Sequence, residues 1–293
     1  MNQKPLVTIG LPFYNPGSYF IDCLKSIFAQ TLSDWELLLV NDGSTDGSLE
    51  IAMSIKDPRV KVISDGENRG LVYRLNQISK MARGKYLARM DADDMMYPMR
   101  LKRQVEFLEA NPDIDVVDTA ALVLNLERNI VGGRGLASSN ISAYRALKYG
   151  VVLHPSVMAK RKWFMDNPYD SEYPRAEDRE LFVRVFQSSK IGHICEPLLF
   201  YFYAGNVRIP AFKESYKSER KVIRKYGPEL IGLPLSAFLI IRSHIKSVLL
   251  KPLVYFKMNY WITRNAYNAV NAQILQEGLA IKEVIHNTPI PGL

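Results

Sequence analysis

Four times in the first 110 residues, a short apolar run is followed by a turn and then by a stretch with apolar residues at helical spacing. Leu6 to Phe13 is closed by Asn15, Pro16 and Gly17, and Tyr19, Phe20, Cys23, Leu24, Ile27 and Phe28 then recur with the helical period. Trp35 to Val40 leads through a polar loop to a short helix over Leu49 to Ile55, with Ser48 as its cap. Val60 to Ile63 precedes a helix over Leu71 to Met81, and Tyr86 to Met90 precedes one over Leu101 to Leu108, which stops before Asn111-Pro112. Strands that alternate with helices in this way predict an α/β fold built on a Rossmann-like, mainly parallel, doubly wound sheet. Such sheets bind ligands beyond the carboxyl ends of their strands, so the loops at Tyr14, Asp42, 66–70 and Asp91 should share one edge.

Those loops carry polar chemistry rather than bulk. The second strand delivers Asn41-Asp42 and then Gly43, Ser44, Thr45, Asp46 and Gly47, a run of backbone and hydroxyl hydrogen-bonding groups. The fourth delivers Asp91-Ala92-Asp93-Asp94, three carboxylates within four residues. Crowded like charges raise one another's pKa or gather a counter-ion, and an all-oxygen set favours a hard cation such as Mg²⁺ or Mn²⁺. An acidic loop ending in a helix cap would present the same letters, as ordinary turn chemistry would for Asp-Gly-Ser.

In order, a strand ending in Pro12-Phe13-Tyr14-Asn15, a second ending in Asn41-Asp42-Gly43-Ser44-Thr45-Asp46, and then Asp91-Ala92-Asp93-Asp94 resemble the inverting glycosyltransferases of family 2. Glu177-Asp178, within Arg175-Ala176-Glu177-Asp178-Arg179-Glu180-Leu181, extends the likeness to residue 186; beyond residue 210 no motif is shared. The resemblance implies a GT-A fold. Residues 1–210 would form the catalytic domain, with 1–110 as its nucleotide-sugar half and 111–210 as its acceptor half, and 211–293 a basic, amphipathic helical extension. It also implies roles. Tyr14 would cover the base, with Pro12 at the same strand end. Asp42 would bond the base edge, Asp91 the ribose, and Asp93 the metal, Mn²⁺ or Mg²⁺; Asp94 would cap the next helix or stand behind the metal site. Asn68 and Gly70 would let the backbone approach the nucleotide, and Asp178 would be the general base of a single displacement. The donor would be a nucleoside diphosphate sugar, UDP-linked by preference, and the acceptor a saccharide, lipid-linked in surface-polysaccharide assembly.

Other residues carry two readings. Arg69 could pair with a phosphate or stand in solvent; Arg89 could pair with a carboxylate inside the protein. His154, in a His-Pro pair after an apolar run, is a candidate to touch donor, acceptor or metal, or a hydrogen-bonded core histidine. Trp163, Tyr169 and Tyr173 could form an aromatic platform for a sugar or pack in a loop. Glu177 could line the acceptor site or, with Asp178 and Glu180, favour a helix N-terminus through its dipole.

Charge and composition narrow the alternatives. Residues 211–293 hold 12 Lys and Arg against 5 Asp and Glu, and so carry +7 of the net charge of +8. A near-neutral body with a basic, apolar tail reads as an enzyme that touches an anionic membrane rather than as a nucleic-acid binder. Leu233 to Phe256 is apolar but interrupted by Arg242, His244, Lys246 and Lys251, which argues for lying in the interface rather than crossing it; residues 233–264, with Lys257, Arg264, Tyr260 and Trp261, form the expected contact. The N-terminus lacks a signal-peptide pattern, and Cys23 and Cys195 support neither a disulfide framework nor a thiolate zinc site. The expected location is the cytoplasmic face of the inner membrane. The first turn is not the G-x-G-x-x-G of nicotinamide enzymes. A sugar nucleotidyltransferase would carry a Gly-rich basic loop there, and a non-catalytic nucleotide-sugar or membrane-binding protein would have no use for every candidate part.

Overall fold

The computed structural model describes residues 4–137, 141–203, 208–256, 258 and 267–293. Its first half follows the sequence pattern closely: β1 (Val7–Phe13), α1 (Tyr19–Phe28), β2 (Trp35–Asn41), α2 (Ser48–Ser54), β3 (Val60–Ser64), α3 (Leu71–Met81) and β4 (Tyr86–Arg89). β1 pairs in parallel with β2 and β4, and β2 with β3. Every residue of β1, β2 and β4 is buried, which explains continuous apolar runs where a half-exposed strand would alternate. Alternation survives as a choice between two covers. Leu37 and Leu39 join the core under α1, with Phe20, Leu24 and Ile27; Leu38 and Val40 join the core under α3, with Leu75 and Ile78. Ser48 is not a cap: Gly47, at φ +85°, holds that position, and Asp46 Oδ1 accepts from Ser48 N.

Beyond Asp94 the sheet becomes mixed. β5 (Met95–Met96), α4 (Arg100–Ala110), β6 (Val116–Leu124), β7 (Ile130–Arg134), α5 (Ala143–Tyr149), a 3-10 turn over His154–Ser156, β8 (Met158–Lys160), α6 (Arg161–Asp166), α7 (Glu177–Arg184) and β9 (Ile191–Phe202) complete the order β3-β2-β1-β4-β8-β6-β9-β5, with β7 on β6. β8 runs antiparallel to both β4 and β6, which sets the His154 turn beside the end of β4.

The region after residue 210 is shared between the two halves. α8 (Ile209–Ile231) and α9 (Leu233–Tyr255) turn at Gly232 into an antiparallel pair whose α8 packs on α5 and α7. The last helix, α10 (Ala272–His286), instead packs on α1, and Ile290 behind it is buried in the core under β1 and β2. Lys56 N donates to Pro291 O (2.7 Å). In α9, Leu239 and Leu250 are buried together with Ser236 and Ser243, while Phe238, Ile241, Ile245 and Val248 are exposed. By length and mean hydropathy (1.4 over its most apolar window) α9 could cross a membrane, but packing along α8 uses one whole side of it. Of the residues expected at the interface, Lys257, Tyr260, Trp261 and Arg264 lie outside the described residues.

Candidate active site

The loops after β1 and β2 are knitted together. Asn15 Oδ1 accepts from Thr45 N (2.7 Å), Ser44 Oγ accepts from Asn15 N (3.1 Å), and Asp46 Oδ2 accepts from Gly17 N (2.8 Å). Tyr14 is left 54% exposed at this edge, whereas Pro12 is buried in β1 in register with Val40 and has no free surface. Gly43, at φ +77°, lets the next loop approach: a Cβ there would lie 3.0 Å from Asn68 N.

Asp42 is buried and holds that loop. Its Oδ1 accepts from Arg69 N (2.8 Å), Gly70 N (3.2 Å) and Arg74 Nε (2.8 Å), while Oδ2 accepts only from Gly70 N (3.0 Å) and keeps lone-pair capacity. Asn68 is exposed. Arg69 spends its charge on Asp65 (3.0 Å) and Glu67 (2.8 Å), so the blander of its two readings describes it. The residue that sequence reasoning passed over is Arg74. Its side chain has no exposure, and besides Asp42 it binds Asp65 Oδ1 (2.6 Å), Asp65 Oδ2 (3.0 Å) and Gln77 Oε1 (3.0 Å). A charge on the same helix face as Leu75 and Ile78 was the available signal, since that face is the buried one.

Asp91, Asp93 and Asp94 each place a carboxylate oxygen within 4.8 Å of the others. Desolvation and the neighbouring Asp91 push Asp93 up to about 6, and burial together with Asp93 raises Asp94 well above the usual carboxylate range. Asp94 does not cap α4, whose N-cap is Met99; its Oδ1 accepts from Phe202 N (2.7 Å), and its Oδ2 is buried without a partner among the described residues. Arg89 pairs with Asp91 at 2.6 Å. Three crowded carboxylates, one of them with an orphaned buried oxygen, are the donor set of a hard divalent cation, so these residues fit the expected Mn²⁺ or Mg²⁺.

A cleft of about 1070 Å³ runs from Arg69 and Gly70 past Arg89, Asp91 and His154 to Glu177 and Asp178. The two last residues open α7, as expected. Asp178 is half-buried, while burial and the adjacent Asp178 carboxylate push Glu177 up to about 7. His154 lines the cleft yet is itself buried; desolvation and Arg89 hold it well below 6.5, a neutral ring bonded to Tyr169 Oη (2.8 Å). Trp163 corrects the expectation of a sugar contact. It packs between Phe164 and Phe182 with Nε1 on Ser189 Oγ (2.9 Å), because α6 turns it toward the core under α3. Tyr173 is buried with Leu147 and Val222, so of the three aromatic candidates only Tyr169 reaches the cleft.

α8 braces the start of α7. Ser218 Oγ donates to Pro174 O (2.8 Å), Arg179 pairs with Glu219 (3.0 Å), and Tyr226 Oη donates to Glu180 Oε1 (2.5 Å).

The model of the glycosyl transferase family 2 matches residues 8–164, more than half of the chain. The chain belongs to glycosyl transferase family 2. Among relatives of this family 2 enzyme, EpsE of Bacillus subtilis strain 168, a glycosyltransferase by name, is 30% identical over 292 residues, 97% of this chain and all of EpsE. Among solved structures, residues 1–349 of Staphylococcus aureus TarS in complex with UDP-GlcNAc align with a TM-score of 0.63 at 15% identity, over 97% of this chain and 81% of that one. The mannosyltransferase PcManGT of Pyrobaculum calidifontis, in complex with GDP-Man and Mn²⁺, aligns at 0.57 and 18% identity, over 97% and 86%. At these identities the likeness establishes the GT-A fold of this family 2 glycosyltransferase, and no more.

Proposed function

We propose that this glycosyltransferase moves a sugar, with inversion, from a UDP-sugar to a saccharide acceptor in surface-polysaccharide assembly. The observation that carries the reading is the shared cleft: Asp91, at the end of the strand that bears the acidic cluster, and the Glu177–Asp178 pair line one cavity. The exposed ring of Tyr14 offers a face for the base, and Asp42 Oδ2 keeps lone-pair capacity for the imide N–H of uracil. Asp91 accepts from the ribose, and Asp93, with Asp94 behind it, would hold a divalent cation, which would supply positive charge to neutralise the diphosphate leaving group. Asp178 takes the proton of the acceptor hydroxyl as it attacks from the face away from the diphosphate, a role worth roughly 10²- to 10⁴-fold in rate. One carboxylate suffices for inversion; retention would need a nucleophile on the other face.

The acceptor is read as lipid-linked, with the enzyme at the cytoplasmic face of the inner membrane. Support comes from the exposed apolar residues of α9 and the positive charge after residue 210. The decisive test is thermal unfolding with and without UDP and Mn²⁺, in the wild type and Asp93→Ala. Ligand at 100 times its dissociation constant stabilises by about 2.7 kcal/mol. A shift that needs both ligands and is lost in the variant supports the reading; no shift with any nucleoside diphosphate removes it.

A further inference from the structure

Arg89 is the last residue of β4, and its main chain is fixed on both sides: N donates to Val157 O (2.9 Å), and O accepts from the buried Arg100 Nη2 (2.8 Å). The side chain is 5% exposed and reaches past Met90 to Asp91 Oδ1 at 2.6 Å. Its Nε and Nη1 are buried and have no partner among the described residues. A buried guanidinium with two unspent donors weakens a fold, so packing alone gives no reason for an arginine at this position.

The reason lies in what Arg89 does to three carboxylates that otherwise look alike. Within the cluster, Asp94 is tied to Phe202 N, and among the described residues only Asp91 is in direct contact with a positive charge, although the charge of Arg89 also bears on Asp93 and Asp94. The pairing uses one oxygen, and the Asp91 side chain stays 29% exposed in the cleft. Here the guanidinium meets the carboxylate through one contact, from Nη2, but does so from a rigid plane, where an ammonium would act as a point charge on a mobile stem. Arg89 therefore orients Asp91, through a direct contact, as an acceptor facing the cleft.

We infer that Arg89 is a positioning residue for donor binding: through its ion pair it aims the free oxygen of Asp91 at the ribose hydroxyls of the nucleotide. The inference rests on the donor-site reading of Asp91 given above. It predicts that Arg89 controls how strongly the enzyme distinguishes a ribonucleotide from its deoxy analogues, a property that mere support of the fold would not select.

Calorimetric titration with UDP, 2′-deoxy-UDP and 3′-deoxy-UDP in the presence of Mn²⁺ tests it in the wild type, Asp91→Asn, Arg89→Met and Arg89→Lys. In the wild type, loss of the hydroxyl that Asp91 accepts should weaken binding about tenfold or more, as for a hydrogen bond to a charged group. Asp91→Asn and Arg89→Met should both bring that ratio close to one. Arg89→Lys, which keeps the buried charge without the rigid guanidinium plane, should fold as the wild type does and still lose most of the discrimination. If Asp91→Asn removes the discrimination and both Arg89 variants keep it, the role given to Arg89 is overturned while the donor site stands. If Asp91→Asn keeps it, Asp91 does not meet the ribose, and the inference falls with that assignment.

Discussion

Replacing Glu177 by Gln should make the protein's stability less dependent on pH. Glu177 is 8% exposed beside Asp178, and it is pushed from the ordinary 4.5 up to about 7. Below pH 4.5 the carboxyl is protonated in both the folded and the unfolded chain and contributes no difference. Between 4.5 and about 7 the unfolded chain releases the proton while the folded chain retains it, so stability falls as pH rises through this window and levels off above it. Raising a carboxyl from 4.5 to about 7 corresponds to about 3 kcal/mol of lost stability. Gln is neutral throughout and escapes the loss. Urea unfolding of the metal-free wild type and Glu177→Gln at half-unit steps from pH 4 to pH 8 should show a gap that opens by about 3 kcal/mol in favour of the variant, or roughly 6 °C if read thermally. The offset at pH 4 measures the amide's own packing and is subtracted. A gap that stays constant from pH 4 to pH 8 refutes the reasoning.

Trp163→Phe should lower stability by about 1–2 kcal/mol through loss of ring area and of the bond to Ser189, yet leave UDP affinity unchanged in a titration, since the ring faces the core. Ile290→Ala should destabilise by about 2–5 kcal/mol in urea, although it lies far from β1 in sequence, because it is buried in the core of that strand. The double variant Phe238→Ser, Ile245→Ser removes two side chains that are 54% and 53% exposed; it should change the unfolding midpoint little and reduce co-sedimentation with anionic phospholipid vesicles.

The donor half was readable because each of its features is local. Apolar runs mark strands buried on both faces, and glycines mark the loops, so α3 is found at its actual bounds and the acidic cluster at its actual edge. Legibility fails where a side chain's partner is remote in sequence. Nothing near Asp94 says that its oxygen will meet Phe202 N, nothing around Trp163 says that α6 will turn it inward, and a helix cap was the nearest local reading of the first. The same limit hid Arg74, whose acceptors lie on two loops and its own helix. The braces from α8 to the start of α7 join residues forty or more positions apart and leave no periodic trace.

The burial of Ile290 beneath β1 and β2 also sets an order of events. A chain made from its N-terminus produces the elements of the donor half first, but the residue that fills part of their core, and the segment that bonds Lys56, come some 230 residues later. Contacts of such span are slow to form, and a half-covered apolar surface invites association while it waits. The half of the protein that is written first is thus closed last. A fragment cut after residue 210 would keep every candidate catalytic side chain and lack part of the interior that holds them in place.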